Sequence, residues 1–359
     1  MPPELAATLS ALAARGRKEF YAGATARHLT AKMQRCGGLV TAADLAAYRV
    51  AWREPLVSPW QDLSVITAPP PSSGGVGLVQ LLQMKQALAP QFRDVPLNSA
   101  RYIHLLAEIE KRVFADRAAY LGDPDFVSVP VQHLIDPAYL ARRAQEVDAT
   151  AISATMSVGA GGAEQHDTTH FSIVDRRGNA VANTYTLNGS FGSGVVVERA
   201  GFLLNNEMDD FASRPGAPNM YGVVGGEANA IAPGKRPLSS MAPTILLKDG
   251  RVAFVIGTPG GSRIFTWIFQ VILDVYDFHL PLAAAVAAAR VHHQLLPENR
   301  IFLEPGAQPE PAVLEALRAL GYAIEDQGWS GDIQAIQIEG ATPVAASDPR
   351  DDGVGITVP

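Results

Sequence analysis

The stretch Thr168-Thr-His-Phe-Ser-Ile-Val174 decides the fold, because β-branched and aromatic residues dominate it and a turn follows it at once. The turn is Asp175-Arg-Arg-Gly-Asn179, and a second apolar run extends from Ala180 to Leu187. Two such runs joined by a short turn that contains glycine predict a β-hairpin. The loop of residues 150–167 directly precedes the hairpin, and we expect this loop to divide the chain into two parts.

The spacing of apolar residues predicts helices and strands on both sides of the hairpin. The first part holds a helix with Leu5, Leu9 and Leu12 packed inward, a strand Leu63–Thr67, a rigid turn Pro69-Pro-Pro-Ser-Ser-Gly-Gly75, and a helix from about Ser99 to Tyr120 with Ile103, Leu106, Val113 and Phe114 inward. The second part holds strands at 244–248 and 251–256 joined by Asp249-Gly250, helices at 262–278, 282–290 and 311–320, and closing strands at 333–338 and 344–347. Strands packed between helices predict a layered α/β (α+β) fold.

Composition bounds the class of protein. A chain of 359 residues with 47% hydrophobic and 18% charged residues can bury a sizeable core. The formal charge of -7 comes without a cluster of basic residues, which argues against nucleic acid as a partner. The sequence contains no uninterrupted apolar tract of ~18 residues, so it predicts no membrane span.

The sequence also predicts no metal site and no cofactor. The single cysteine, Cys36, has no second thiolate with which to bind a metal ion. The adjacent pair His292-His293 reads as part of a helix, where neighbouring side chains diverge, and no suitable carboxylate pattern accompanies it. The sequence lacks a GxSxG nucleophile elbow, a phosphate-binding Walker loop, and a GxGxxG motif between a strand and a helix.

Thr168 is the candidate nucleophile. A threonine hydroxyl needs a base within hydrogen-bond reach, and a newly formed α-amino group on the same residue can be that base. Such an amine forms if the bond between Asp167 and Thr168 is cut where a loop enters a strand. Taken alone, Thr168 is equally an ordinary β-branched residue that begins a strand.

Several stretches in register resemble the gamma-glutamyltransferase family, which belongs to the N-terminal-nucleophile hydrolases. The stretches that resemble its small subunit are Asp167-Thr-Thr-His-Phe-Ser172, Gly178-Asn-Ala-Val-Ala182, Thr184-Tyr-Thr-Leu-Asn188, Leu203-Leu-Asn-Asn-Glu-Met-Asp-Asp-Phe211, Pro237-Leu-Ser-Ser-Met241 and Gly257-Thr-Pro-Gly-Gly-Ser-Arg263. Those that resemble the end of its large subunit are Gly37-Gly-Leu39, Asp44-Leu-Ala-Ala-Tyr48, Pro69-Pro-Pro-Ser-Ser-Gly-Gly75 and Tyr120-Leu-Gly-Asp-Pro-Asp-Phe126. The resemblance implies an αββα sandwich, with a mostly helical large-subunit-like region at residues 1–167 and a catalytic small-subunit-like region at residues 168–359.

The resemblance implies self-cleavage after Asp167 and transfer of a γ-glutamyl group from glutathione or a related compound. Thr168 attacks the γ-glutamyl amide, and water or an amino acid or peptide acceptor then releases the γ-glutamyl group from the enzyme. Thr186 hydrogen-bonds the nucleophile, and the backbone amides of Gly260 and Gly261 stabilise the oxyanion. The product of self-cleavage is a pair of subunits, and no cofactor is needed.

The γ-glutamyl group ends in an ammonium and a carboxylate, which require partners of opposite kinds. By resemblance, Glu207 and Asp210 bind the ammonium, and the Ser239 and Ser240 hydroxyls bind the carboxylate. The remaining residues implied at the substrate are Asn188, near the bound group, and Tyr221, on a lid that covers the pocket.

Two features leave alternatives open. The chain resembles the family from a point well inside the large subunit, so we expect the αββα sandwich to be incomplete at the N-terminus. An inactive, unprocessed family member that acts only by association is therefore one alternative, and an acylase for glutaryl side chains of β-lactam compounds is another. The resemblance implies a periplasmic or extracellular protein, whereas the start Met-Pro-Pro-Glu lacks the pattern of a secretory signal.

Overall fold

The computed structural model describes residues 2–155, 168–220, 222–340 and 342–358. The helices are α1 (Pro3–Arg15), α2 (Arg17–Ala22), α3 (Ala24–Cys36), α4 (Ala42–Ala47), α5 (Gly74–Ala87), α6 (Ala89–Phe92), α7 (Ala100–Tyr120), α8 (Val131–Leu134), α9 (Pro137–Gln145), α10 (Ile264–Tyr276), α11 (Leu282–Ala287) and α12 (Pro311–Leu320). The strands are β1 (Leu56–Trp60), β2 (Leu63–Thr67), β3 (Thr168–Val174), β4 (Ala180–Thr186), β5 (Val196–Val197), β6 (Phe202–Leu203), β7 (Thr244–Lys248), β8 (Arg251–Gly257), β9 (Val291–His293), β10 (Arg300–Leu303), β11 (Ala323–Asp326), β12 (Gln334–Glu339) and β13 (Thr342–Ser347). These elements form two compact units, one of residues 1–54 and 187–206, and the other of residues 55–186 and 207–359.

The smaller unit combines α1–α4 with the short β5–β6 pair. Its apolar cluster contains Leu29, Met33 and Val197, all of them buried. The Thr8 hydroxyl donates to the Ala200 carbonyl over 2.8 Å, which fastens α1 to the segment after β5. Small apolar clusters of this kind hold short elements together where a large core is absent.

A six-stranded antiparallel sheet, ordered β1-β2-β7-β8-β12-β13, forms the centre of the larger unit. Asp249 and Gly250 turn β7 into β8 with positive φ angles of 50° and 73°, as that dipeptide predicts. A second sheet is ordered β11-β10-β9. Helices α5, α7 and α10 all contribute to the core. Gly77 on α5, for instance, lies so close to the ring of Phe265 on α10 that a Cβ would meet the ring at 2.9 Å.

The predicted hairpin of residues 168–187 is confirmed as β3 and β4. The two strands pair antiparallel with Thr168 opposite Thr186 and Val174 opposite Ala180. The hairpin packs against β8 and β12 of the central sheet, and the Ser172 hydroxyl donates to the Gln334 carbonyl of β12 over 3.2 Å. This packing places the first residue of β3 beside the central sheet.

The long helix predicted from Ser99 is also confirmed. The Ser99 side chain accepts from the Tyr102 N–H and caps α7, as serine favours before a helix. The four residues predicted to face inward, Ile103, Leu106, Val113 and Phe114, are all buried. Burial extends to polar residues on the other faces of α7, because the larger unit surrounds this helix.

Three details of the sequence prediction are wrong. His292 and His293 lie on strand β9 rather than on a helix, because the preceding helix α11 ends at Ala287 and the chain there pairs with β10. Leu9 on α1 is 47% exposed, since only one narrow face of this helix packs against the rest of the smaller unit. The short strands β1, β5, β6, β9, β10 and β11 were not predicted, because strands of two to five residues carry little periodic signal.

Candidate active site

Thr168 is the first residue of β3, and it faces Thr186 across the hairpin. The register of the two strands puts these residues directly opposite each other, and the Thr168 Oγ1 donates to the Thr186 Oγ1 over 3.1 Å. The predicted nucleophile and its predicted hydroxyl partner are therefore brought together. A hydroxyl that is held by a neighbour on a rigid strand can be aimed at a substrate carbonyl.

His170 supports the strand that begins with Thr168. Its ring is buried, with Nδ1 at 2.8 Å from the Thr184 Oγ1 and Nε2 at 3.1 Å from the Ser172 Oγ. Burial lowers the pKa of His170 to about 4, so the ring is neutral at physiological pH. The ring lies on Gly257 at the end of β8, where a Cβ would meet it at 2.2 Å. His170 thus aligns β3 with the segment that leads to Gly260.

Gly260 and Gly261 occupy the sharp turn between β8 and α10. Their φ angles are 138° and 53°, in the region that glycine tolerates best. A Cβ on Gly260 would lie 2.4 Å from the Trp267 ring, so the indole of α10 leaves room only for glycine. The turn therefore presents the backbone amides of two residues that carry no side chains of their own, which suits an oxyanion-binding role.

Glu207 and Asp210 lie on one short 3₁₀ helix, Glu207–Asp210, and both are half-buried. Burial raises the pKa of Glu207 to about 6, against a hydrogen bond with Asp210 that lowers it. Burial and the negative charge of Glu207 raise the pKa of Asp210 well above its ordinary value, and the Arg117 charge opposes this rise. Two acids that interact this closely titrate as a pair, because the charge of each opposes ionisation of the other.

Ser239 and Ser240 are held against the turn that precedes α5. The Ser239 N–H donates to the Pro71 carbonyl over 2.8 Å, and the Ser73 N–H donates to the Ser239 carbonyl over 2.7 Å. The Arg117 guanidinium reaches both sides of this contact, with Nε at 2.9 Å from the Ser73 Oγ and Nη2 at 3.3 Å from the Ser240 Oγ. The predicted serine pair therefore belongs to a buried hydroxyl and guanidinium cluster.

The remaining predicted residues are placed differently. Asn188 belongs to the smaller unit, where it is buried with a positive φ of 73°, and its amide donates to the Asn206 carbonyl over 3.2 Å. Asp167 and Tyr221 lie outside the described residues. Their predicted parts in self-cleavage and in the lid stay predictions.

Sequence reasoning missed Arg117, Ser73 and His170. Arg117 lies in a helix that the sequence predicts to pack in the core, and Ser73 lies in a motif that it predicts to form a turn. Ser73 belongs to a stretch that resembles the family and Arg117 does not, and neither has a spacing that signals a contact 44 residues away. His170 belongs to the motif around Thr168, but the strand pattern does not predict that its polar side chain is buried.

The described ranges give no sign of a metal centre, since they contain no group of three or more His, Cys, Asp or Glu side chains that could hold an ion. Among the same residues, every helix is too short or too polar to cross a bilayer.

A mixed helix and sheet arrangement with a threonine at the head of such a hairpin defines the N-terminal-nucleophile hydrolase fold class. The chain belongs to the gamma-glutamyltranspeptidase family, because the model of that family matches residues 1–358. Over 359 residues the chain is 62% identical to the glutathione hydrolase proenzyme of Pseudomonas aeruginosa. The match covers 100% of this chain and 64% of that protein.

Two solved structures extend the comparison. A gamma-glutamyltranspeptidase from Pseudomonas nitroreducens, complexed with L-DON, is 64% identical with a TM-score of 0.53, and the match covers 53% of this chain and 100% of that one. A cephalosporin acylase from Bacillus halodurans is 26% identical with a TM-score of 0.82, and the match covers 98% of this chain and 61% of that one. The chain spans less than two thirds of the length of these curated relatives from Pseudomonas and Escherichia coli.

Proposed function

We propose that this chain carries the catalytic machinery of a glutathione hydrolase and γ-glutamyltransferase, with Thr168 as the nucleophile after cleavage of the Asp167–Thr168 bond. The observation that carries the proposal is the pairing of the Thr168 and Thr186 hydroxyls at the head of the hairpin, 3.1 Å apart. Membership of the family and the proenzyme names of its relatives support the same reading.

The proposed reaction is acyl transfer in two steps. The Thr168 Oγ1 attacks the γ-carbonyl carbon of the donor while the α-amine of Thr168 takes the hydroxyl proton. The Gly260 and Gly261 amides bind the oxyanion, the amide C–N bond breaks, and the leaving amine receives the proton. Water or an acceptor amine then attacks the γ-glutamyl ester and frees Thr168. Glutathione and other γ-glutamyl compounds are the proposed donors, and amino acids or peptides are the proposed acceptors.

The acid pair and the serine pair support recognition of a γ-glutamyl group. Glu207 and Asp210 supply negative charge for an α-ammonium, and the Ser240 hydroxyl, backed by a buried guanidinium, suits an α-carboxylate. The comparison with a cephalosporin acylase favours a second candidate, an acylase for glutaryl side chains. A glutaryl group lacks the ammonium, so the acid pair of Glu207 and Asp210 favours the first candidate.

The proposed division into residues 1–167 and 168–359 is supported by the share of the chain that the Pseudomonas nitroreducens structure matches. That solved chain is covered to 100% by 53% of this chain, a share close to that of the 192 residues from Thr168 onward. The cleaved protein would then consist of two subunits.

Cleavage and donor choice test the proposal together. We expect the purified chain to yield pieces of 167 and 192 residues on a denaturing gel, with threonine as the first residue of the second piece. We also expect p-nitroaniline release from γ-glutamyl-p-nitroanilide to exceed release from glutaryl-p-nitroanilide by ~tenfold or more. Thr168→Ala is the control and should abolish both cleavage and release.

Three outcomes would contradict the proposal. Faster release from the glutaryl compound would support the acylase. An uncut chain that releases nothing from either compound would support a role by association alone. Cleavage at another peptide bond would remove Thr168 from the mechanism.

A further inference from the structure

Arg117 is buried on α7 and directs its donors at hydroxyl groups. Its Nε donates to the Ser73 Oγ over 2.9 Å, and its Nη2 donates to the Ser240 Oγ over 3.3 Å. Burial lowers the pKa of Arg117 to about 10, which leaves the guanidinium charged at neutral pH. A buried cation is costly unless opposite charges or hydrogen bonds compensate for its lost hydration.

A second arginine on the same helix shows the ordinary arrangement. Arg112 is buried to a similar extent, and its Nη1 lies 3.0 Å from a carboxylate oxygen of Glu108. Arg117 instead places its fork between Ser73 and Ser240, with the charge of Asp210 near enough to affect its pKa. The positive charge therefore lies beside the residues proposed to bind the two ends of the γ-glutamyl group.

The hydrogen bonds assign a direction to each hydroxyl. The Ser73 Oγ donates its single hydrogen to the Ser239 carbonyl over 2.8 Å, so it acts as an acceptor towards Arg117. The Ser240 Oγ also accepts from Arg117, and its own hydrogen can be donated either to the Ser73 Oγ, 3.4 Å away, or to a ligand. A hydroxyl that accepts from a cation is a stronger donor to an anion.

We propose that Arg117 is a positioning residue for recognition of the donor's α-carboxylate. It orients the Ser240 hydroxyl, using Ser73 as its second anchor, and places a buried positive charge behind that hydroxyl. The inference rests on the proposed γ-glutamyl transfer, and it adds a determinant of donor specificity on the region before the cleavage site. In the processed protein this determinant and Ser240 would lie on different subunits.

Two donors that differ in one group test the assignment. γ-Glutamyl-p-nitroanilide carries the α-carboxylate, and 4-aminobutyryl-p-nitroanilide has a hydrogen in its place. We expect Arg117→Lys to raise KM for the first donor by ~tenfold or more with kcat changed less than ~threefold, because lysine keeps the charge and loses the fork. For the second donor kcat/KM should stay within ~twofold of the parent value.

A double-mutant cycle separates positioning from general damage. Ser240→Ala should show the same dependence on the donor, and combining it with Arg117→Lys should add no more than ~twofold, because both changes remove one interaction. Arg112→Lys is the matched control, since it alters an equally buried arginine of the same helix and should affect both donors by the same factor. If Arg117→Lys does not fold, Ser73→Ala carries the test, with the same expected selectivity for the carboxylate donor.

Equal losses on the two donors, or additive losses in the cycle, would overturn the assignment while leaving the proposed function intact. Calorimetry of L-glutamate and 4-aminobutyrate binding distinguishes a failure of the proposed function from a failure of the assignment of Arg117. A parent protein that binds L-glutamate without cleaving any donor would contradict the proposed function, and Arg117→Lys would then be expected to weaken L-glutamate ~tenfold and spare 4-aminobutyrate. A parent that binds neither ligand would contradict both proposals.

Discussion

Glu207 and Asp210 share one short 3₁₀ turn, and their raised pKa values would make the proposed binding of an ammonium group depend on pH. Burial raises the pKa of Glu207 to about 6, and burial and the Glu207 charge raise the pKa of Asp210 well above its ordinary value. Asp209 adds a repulsive charge to Asp210, and Arg117 adds an attractive one. An ammonium group binds best when both acids are ionised, so binding must displace a proton from the pair.

We therefore expect the affinity for L-glutamate to rise with pH, by up to ~tenfold per pH unit below about pH 6. Both acids have raised pKa values, so their charged forms are present above those values and are lost as pH falls. Calorimetry in buffers of different ionisation enthalpy should detect release of about one proton per L-glutamate bound near pH 6.

Glutarate and the Asp210→Asn variant are the controls for this pH dependence. Glutarate lacks the ammonium, so its affinity should not rise with pH. Asp210→Asn should bind L-glutamate more weakly, and binding should lack the proton release that the Asp210 carboxyl contributes in the parent protein. A parent protein whose L-glutamate affinity is flat from about pH 5 to about pH 8 would remove the acid pair from ammonium binding.

At the scale of single residues, the sequence predicted those side-chain contacts whose two partners belong to one predicted element. Thr168 and Thr186 are the ends of one hairpin, so the hairpin itself brings them together. Arg117 is 123 residues from Ser240, and a helix with apolar residues on its faces gives no reason to expect a charged contact. Contacts of this kind arise from the packing of whole elements, which local patterns do not encode.

At the scale of elements, the hairpin and the central sheet are joined where His170 lies on Gly257. A Cβ at Gly257 would lie 2.2 Å from the imidazole, and the ring is held by Thr184 and Ser172. The end of β8 thus accepts a buried ring only because it lacks a side chain. Two residues, Thr258 and Pro259, lead from Gly257 to Gly260 in the proposed oxyanion site.

We expect Gly257→Ala to destabilise the fold by ~1–3 kcal/mol and to reduce cleavage at Asp167, because the added methyl displaces His170 and with it β3. Urea unfolding and the amount of cleaved product measure the two effects. His170→Ala should lose stability by leaving a cavity. The double variant should be more stable than Gly257→Ala alone, since the methyl then enters the vacated space.

A double variant whose loss of stability equals the sum of the two single losses would show that His170 and Gly257 do not share this packing.

At the scale of elements the sequence predicted long or strongly alternating elements well, such as α7, β7 and β8. It failed at β9, where Val291-His-His293 is too short to show a period and where the pairing partner β10 decides the structure. The polar character of His292 and His293 hid two fully buried side chains.

At the scale of the whole molecule, the larger unit has a buried charge network that joins distant parts of the chain. Arg290, which follows α11, has Nε at 2.6 Å from the Glu304 carboxylate and Nη2 at 2.6 Å from the Asp348 carboxylate. Burial would lower the pKa of Arg290, but the two carboxylates raise it above its usual value. Glu304 also accepts the Gly331 N–H over 2.6 Å, so the network fastens the segments around β10, β12 and β13.

We expect Arg290→Met to lower the free energy of unfolding by ~3–5 kcal/mol, because it leaves the buried Glu304 carboxylate without its cation and removes one of the two arginines, Arg290 and Arg350, that pair with Asp348. Urea unfolding monitored by tryptophan fluorescence measures the loss. Arg300→Met is the matched control: Arg300 pairs with Glu325 at a site where both side chains are about one third exposed, so water replaces the lost partner and the cost should stay below ~1 kcal/mol. Equal losses in the two variants would contradict the argument, because burial would then not decide what an arginine contributes to this fold.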